Sequence, residues 1–159
     1  MSIPLQARSG AWQPALELLE PISLVRCCTS PLGRNLCMIV TETAVHVYAT
    51  SDESPNLSFE PVTSFFLGCR ATGASWSPST QHASTAWRIE ILVATETNEL
   101  RLLESVRQGS EASTSNKKLA DTYARVTDLA WCASPGYESY AAAACSDGTV
   151  RLLSLIHIS

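Results

Sequence analysis

The sequence predicts an all-β fold assembled from three diverged copies of one unit of about 50 residues, and three observations predict it. Short apolar runs of four to eight residues dominate, rich in Val, Ile, Leu and aromatics, and Gly, Pro, Asn, Asp and Ser punctuate them. A first landmark recurs: Cys27-Cys28-Thr29-Ser30-Pro31 resembles Trp131-Cys132-Ala133-Ser134-Pro135, 104 residues on, and Ser75-Trp76-Ser77-Pro78 lies between them. A second landmark keeps step with the first. Thr43 to Tyr48 matches Asn98 to Leu103 and Gly148 to Leu153, with Val45, Leu100 and Val150 spaced by 55 and 50 residues.

Residues 1–20, with Pro4, Gly10 and Pro14, read as a loose lead-in. The first copy supplies strands Ile22 to Cys28, Leu36 to Thr41 and Ala44 to Ala49. The second supplies Thr72 to Ser77, Arg88 to Thr95 and Glu99 to Glu104, and the third Val126 to Cys132, Ser139 to Cys145 and Thr149 to Leu153. Pro61 to Leu67 and Lys117 to Thr122 are expected as fourth strands. The polar stretches Thr50 to Glu60 and Ser105 to Asn116 are expected to be surface loops. Four short strands per unit, repeated, describe blades of a β-propeller of WD40-like type, near 21–67, 68–122 and 123–155. Three blades cannot close a ring, because a seven-bladed propeller at ~40–45 residues per blade needs roughly 300. The chain is therefore expected to be part of a larger propeller, 21–155 being an incomplete ring with the outer face of its last blade exposed and prone to aggregate. The tail 156–159, Ile156-His157-Ile158-Ser159, follows a strand without a turn and is expected to be a non-native end.

Bulk composition limits the function. Hydrophobic residues make up 45% and charged residues 16% of 159, a globular balance. The net charge is −4 and no basic run occurs, so direct binding to nucleic acid or anionic lipid is not expected. No signal peptide or apolar run of about 18 residues is present, so neither secretion nor membrane insertion is expected, and the chain reads as soluble and intracellular. The six cysteines (27, 28, 37, 69, 132 and 145) are irregularly spaced within apolar stretches and read as reduced.

No residue group stands out as catalytic, metal-binding or cofactor-binding. Trp76 and Trp131 hold the same strand position and are expected to wedge between blades. Asp147 in Ser146-Asp147-Gly148 is a turn residue, and Asp128 is expected to make a blade-to-blade hydrogen bond. His46 is expected to face solvent, His82 to lie in a polar loop, and neither they nor His157 has metal-ligand spacing. No nucleophile elbow, P-loop or dinucleotide fingerprint appears, and the inner strands offer Ser, Thr, Gly and Cys but no acid–base pair. An enzyme, a cofactor and a small-molecule substrate are thus not expected. The Ser105 to Asn116 stretch, near Glu104, Arg107 and Glu111, reads as polar filler more readily than as a phosphorylation site.

Two stretches resemble a known family. Gly68 to Thr80, leading through Ile89 to Thr95 and Asn98 to Glu104, resembles the second blade of the nucleoporin thirty-seven family, the small propellers of the Y-shaped outer-ring complex of the nuclear pore. The shared features are a Gly-x-Arg lead (Gly68 to Arg70), a Trp-Ser-Pro-x-Thr corner (Trp76 to Thr80) and a strand closing on Leu100-Arg101-Leu102. The likeness extends more weakly over 121–154. The third copy departs from regular WD40 blades, since it lacks their Gly-His start and Trp-Asp finish. What the resemblance implies is a structural role. Such a protein would dock on a large Y-complex nucleoporin at the nuclear envelope, supporting passage of protein and messenger RNA. The alternative is a WD40 adaptor of a ubiquitin ligase or chromatin assembly. No particular residue is expected as the partner contact.

Overall fold

The computed structural model describes residues 16–51 and 58–156, and every element in them is a strand. The first sheet is built from β1 (Ile22–Cys27), β2 (Leu36–Thr41), β3 (Ala44–Ser51) and β4 (Ser58–Phe66), paired in that order. The second holds β5 (Ala71–Trp76), β7 (Ala86–Thr95), β8 (Glu99–Gln108) and β9 (Glu111–Asp121), with the two-residue β6 (Gln81–His82) paired to β7. The third holds β10 (Val126–Trp131), β11 (Tyr140–Cys145) and β12 (Val150–Ser154). All pairings are antiparallel, as strands joined by short turns must be.

Both repeat landmarks fall on equivalent places. Cys27, Trp76 and Trp131 each end the first strand of their sheet, opposite Cys37, Ile91 and Ala141. Val45, Leu100 and Val150 all lie at the start of the third strand. A third landmark appears only in the structure. Each first strand carries a bulge, which leaves Ser23, Thr72 and Thr127 without a partner in the register. In each case the hydroxyl of the extra residue donates to a carbonyl of the neighbouring strand: Ser23 to Val40 at 3.2 Å, Thr72 to Ala94 at 3.3 Å and Thr127 to Ala144 at 3.2 Å. The interruption in the ladder is thus filled by a side chain, at the same point in every copy.

Three sequence expectations about the elements fail. Ser105 to Asn116 is not a loop: β8 runs on to Gln108, a turn with Gly109 at φ 61° follows, and β9 starts at Glu111. The polar stretch is the far end of one long hairpin, with Ser105 opposite Thr114 and Arg107 opposite Ala112. Nearly all of β9 is exposed, so no apolar alternation was needed to build it. His82 lies not in a loop but in β6, opposite Trp87. At the other expected loop, β3 reaches Ser51 and β4 begins at Ser58, while 52–57 lie outside the described residues. The lead-in through Ala15 and His157 to Ser159 also lie outside them.

The sheets stack face to face, and the middle one is covered on both sides. Along β7 the side chains alternate between two cores. Ile89, Ile91 and Val93 pack with Leu36, Met38, Val40 and Val47 of the first sheet, and Leu92 and Ala94 pack with Val126, Leu129 and Ala143 of the third. This explains why Ile91 to Ala94 of β7 form an unbroken apolar run. Trp76 is buried in the first of these cores, and its Nε1 donates to the Arg26 carbonyl of the neighbouring sheet at 3.0 Å. Gly73 lets β5 and β10 come close: a Cβ there would stand 3.2–3.3 Å from the backbone of Asp128 and Leu129.

Candidate interaction surface

The first strands of the three sheets, β1, β5 and β10, converge on one side of the stack. Arg26 of β1 reaches past the middle sheet to Asp128 of β10 at 3.4 Å, and Asp128 also accepts from the backbone N–H of Leu129 at 2.9 Å. The hydrogen bond expected of Asp128 therefore exists, but it spans two sheets rather than adjacent ones. A cleft of about 160 Å³ opens here, lined in part by Arg26, Thr29, Trp76 and Trp131. Trp131 does not repeat the role of Trp76. Its Nε1 turns to the Glu138 carbonyl of its own hairpin at 2.6 Å, and the ring is left half-buried. The Trp131 backbone N–H instead ties the third sheet to the second, through the Ser75 hydroxyl at 2.9 Å.

A second surface lies over the seam between the first and second sheets. The Ser30 hydroxyl donates to the Thr80 carbonyl at 2.6 Å, and the His82 N–H to the Leu32 carbonyl at 2.9 Å. These bonds fix β6 against the loop before β2. The His82 ring then stacks on Trp87, centroids 5.6 Å apart, and the Arg107 guanidinium covers Trp87 at 5.2 Å. The Trp87 Nε1 is held by the Ser105 hydroxyl at 3.0 Å. The Asn35 amide donates to His82 Nδ1 at 3.1 Å, which requires that nitrogen unprotonated. Burial likewise pushes the His82 pKa down from its ordinary value. Grooves of about 500 and 580 Å³ flank this three-layer stack. Aromatic and guanidinium groups held rigid beside open grooves are the kind of surface on which proteins dock.

The remaining polar groups have structural partners. His46 Nδ1 meets the Ser64 hydroxyl at 2.8 Å on the sheet face. Asp147 accepts from the Thr149 hydroxyl at 2.6 Å and the Thr149 N–H at 3.1 Å, which hold its carboxyl below the usual range, beside Gly148 at φ 84°. Glu90 and Glu104 stand opposite one another with Arg88 bridging them at 3.4 and 2.9 Å; burial, then the hydrogen bond that the protonated Glu104 carboxyl donates to Glu90, raises the Glu104 carboxyl. On the next strand pair, Glu99 is lowered chiefly by the Arg101 guanidinium bound to it at 2.6 Å. Among the described residues no group of three or more His, Cys, Asp or Glu comes together as a metal site. The six cysteines are free thiols, and among the described residues no helix is long and apolar enough to cross a membrane.

Stacked antiparallel sheets whose first strands share one side define a WD40-like β-propeller fold, here three blades of an incomplete ring. No protein-family model matches the chain. No curated protein matches it significantly. Solved structures do match: the WD40 domain of SCAP from fission yeast superposes with a TM-score of 0.58 at 12% identity, over 82% of this chain. The chain spans 28% of the length of that structure.

Proposed function

We propose that this protein is a non-enzymatic scaffold that binds other proteins, and that its setting is the Y-shaped outer-ring complex of the nuclear pore. The observation that carries the binding role is the His82–Trp87–Arg107 stack between two grooves, on a propeller fold. The nuclear pore setting rests on the resemblance of residues 68–104, which includes the Trp76 to Thr80 corner. In that corner the Ser77 hydroxyl meets Ser79 at 2.8 Å and Thr80 Oγ1 donates to the Glu90 carbonyl at 3.3 Å. In this reading the partner is a large Y-complex nucleoporin at the nuclear envelope, the passage of protein and messenger RNA is supported indirectly, and no cofactor, substrate or direct nucleic-acid contact is involved.

Affinity purification of the tagged protein from nuclear-envelope extract, with partners identified by mass spectrometry, tests the proposal. Outer-ring nucleoporins recovered in near-equal amounts support it, and their loss from a Trp87→Ala/Arg107→Ala double variant assigns the seam as the docking surface. Recovery of a ubiquitin ligase or chromatin complex in their place discards the nuclear pore and leaves a WD40 adaptor.

A further inference from the structure

Cys27 and Cys37 face each other across the β1–β2 ladder. The Cys28 N–H donates to the Leu36 carbonyl at 2.9 Å, so Cys28 and Leu36 form a hydrogen-bonded position. The neighbouring pair, Cys27 and Cys37, is then of the non-hydrogen-bonded kind, in which side chains stand closest. Cα atoms in such pairs are about 4.5 Å apart, within the ~4.4–6.8 Å that a disulfide spans. The Cys37 thiol donates only a long bond, to the Met38 carbonyl at 3.8 Å. Cys28 points the other way, into the core shared with Trp76. Cys27 is exposed and Cys37 is buried.

We infer that Cys27 and Cys37 form a dithiol redox site, closed to a cross-strand disulfide by a low-molecular-weight disulfide. The Cys27 thiolate attacks one sulfur of the reagent. That S–S bond breaks, a mixed disulfide forms on Cys27, and one thiol leaves with the proton that Cys27 lost. Cys37 then gives up its proton and attacks Cys27 Sγ, releasing the second thiol. Two protein thiols are oxidised by two electrons, and one external disulfide is reduced to two thiols.

The two cysteines have unequal parts. Burial, reinforced by the adjacent Cys27, pushes the Cys37 thiol up to about 11, so ring closure is the slower step. The same property protects the product. An external thiolate can reach only Cys27, and attack there must expel the Cys37 thiolate, a poor leaving group. The pair lies on the face of the first sheet turned away from the second, so its state alters the surface met by anything packed there.

The test is to incubate the full chain with oxidised glutathione, block free thiols with N-ethylmaleimide and map tryptic peptides. Cleavage after Arg26, Arg34 and Arg70 places Cys27 on peptide 27–34 and Cys37 on peptide 35–70. The expected result is these two peptides cross-linked, in wild type and in Cys28→Ser and Cys69→Ser, but not in Cys27→Ser or Cys37→Ser. Glutathione left on Cys27 without a cross-link, or a cross-link persisting in Cys27→Ser, overturns the inference. Phenylarsine oxide, whose arsenic holds two thiols at once, gives a readout on the unmutated chain. It should protect both cysteines from alkylation, and alkylation of both in its presence counts against the site.

Discussion

Trp76 and Trp131 end equivalent strands, yet only the Trp76 indole is buried and bonded to the neighbouring sheet. Trp76→Ala should therefore cost about 3–5 kcal/mol, as large aromatic truncations in cores do, and Trp131→Ala clearly less, both read from urea unfolding. Their shared position was legible from the Ser-Pro residues that follow them; the direction of the indole was not, because it depends on the Glu138 carbonyl contributed by the hairpin loop. The bulge hydroxyls were legible in principle. Ser23, Thr72 and Thr127 each stand four residues before the landmark of their copy, but a Ser or Thr in a strand carries no apolar signal. Gly73 is the residue whose lack of a side chain matters most to packing. Gly73→Ala should destabilise the chain by about 1–3 kcal/mol, since β10 must retreat to make room for the methyl. Equilibrium unfolding unchanged by that substitution would contradict the close approach.

Among the elements, apolar strands were read from sequence nearly to the residue, and polar strands were not. Leu36–Thr41 declared itself because both of its faces are buried. β9 is Ser, Thr, Asn and Lys on an exposed edge, and what makes it a strand is the backbone ladder offered by β8, a partner that local composition does not announce. β6 is likewise set by a distant group, the Leu32 carbonyl. The seam that β6 helps to form should be pH-sensitive. The folded state holds His82 below its ordinary pKa of 6.5, so its contribution is complete above that value and is lost as pH falls through the lowered one. Protonation also sets an N–H against the Asn35 donor. The melting temperature should drop on acidification through this range, and the drop should shrink in His82→Gln. An equal drop in both proteins would move the cause elsewhere.

Across the whole molecule, the architecture followed from periodicity, whereas the contacts between sheets did not. Arg26 and Asp128 are 102 positions apart, and nothing local links them. The outermost strand of the third sheet, β12, leaves Val150 77% and Leu152 70% exposed on an edge that no other described strand pairs with, a combination that favours strand-to-strand association. Leu152→Lys should shift the chain toward monomer in light scattering, and an unchanged size distribution would argue against this edge as the point of contact. The double coverage of the middle sheet has a different outcome. β7 has a core on each face and a bonded neighbour on each edge, so opening its amides to solvent requires disrupting the stack from both sides. In deuterium, the N–H groups of Ile89 to Ala94 should be the last to exchange, at a rate set by global unfolding, while those of β1 and β12 exchange through local fraying.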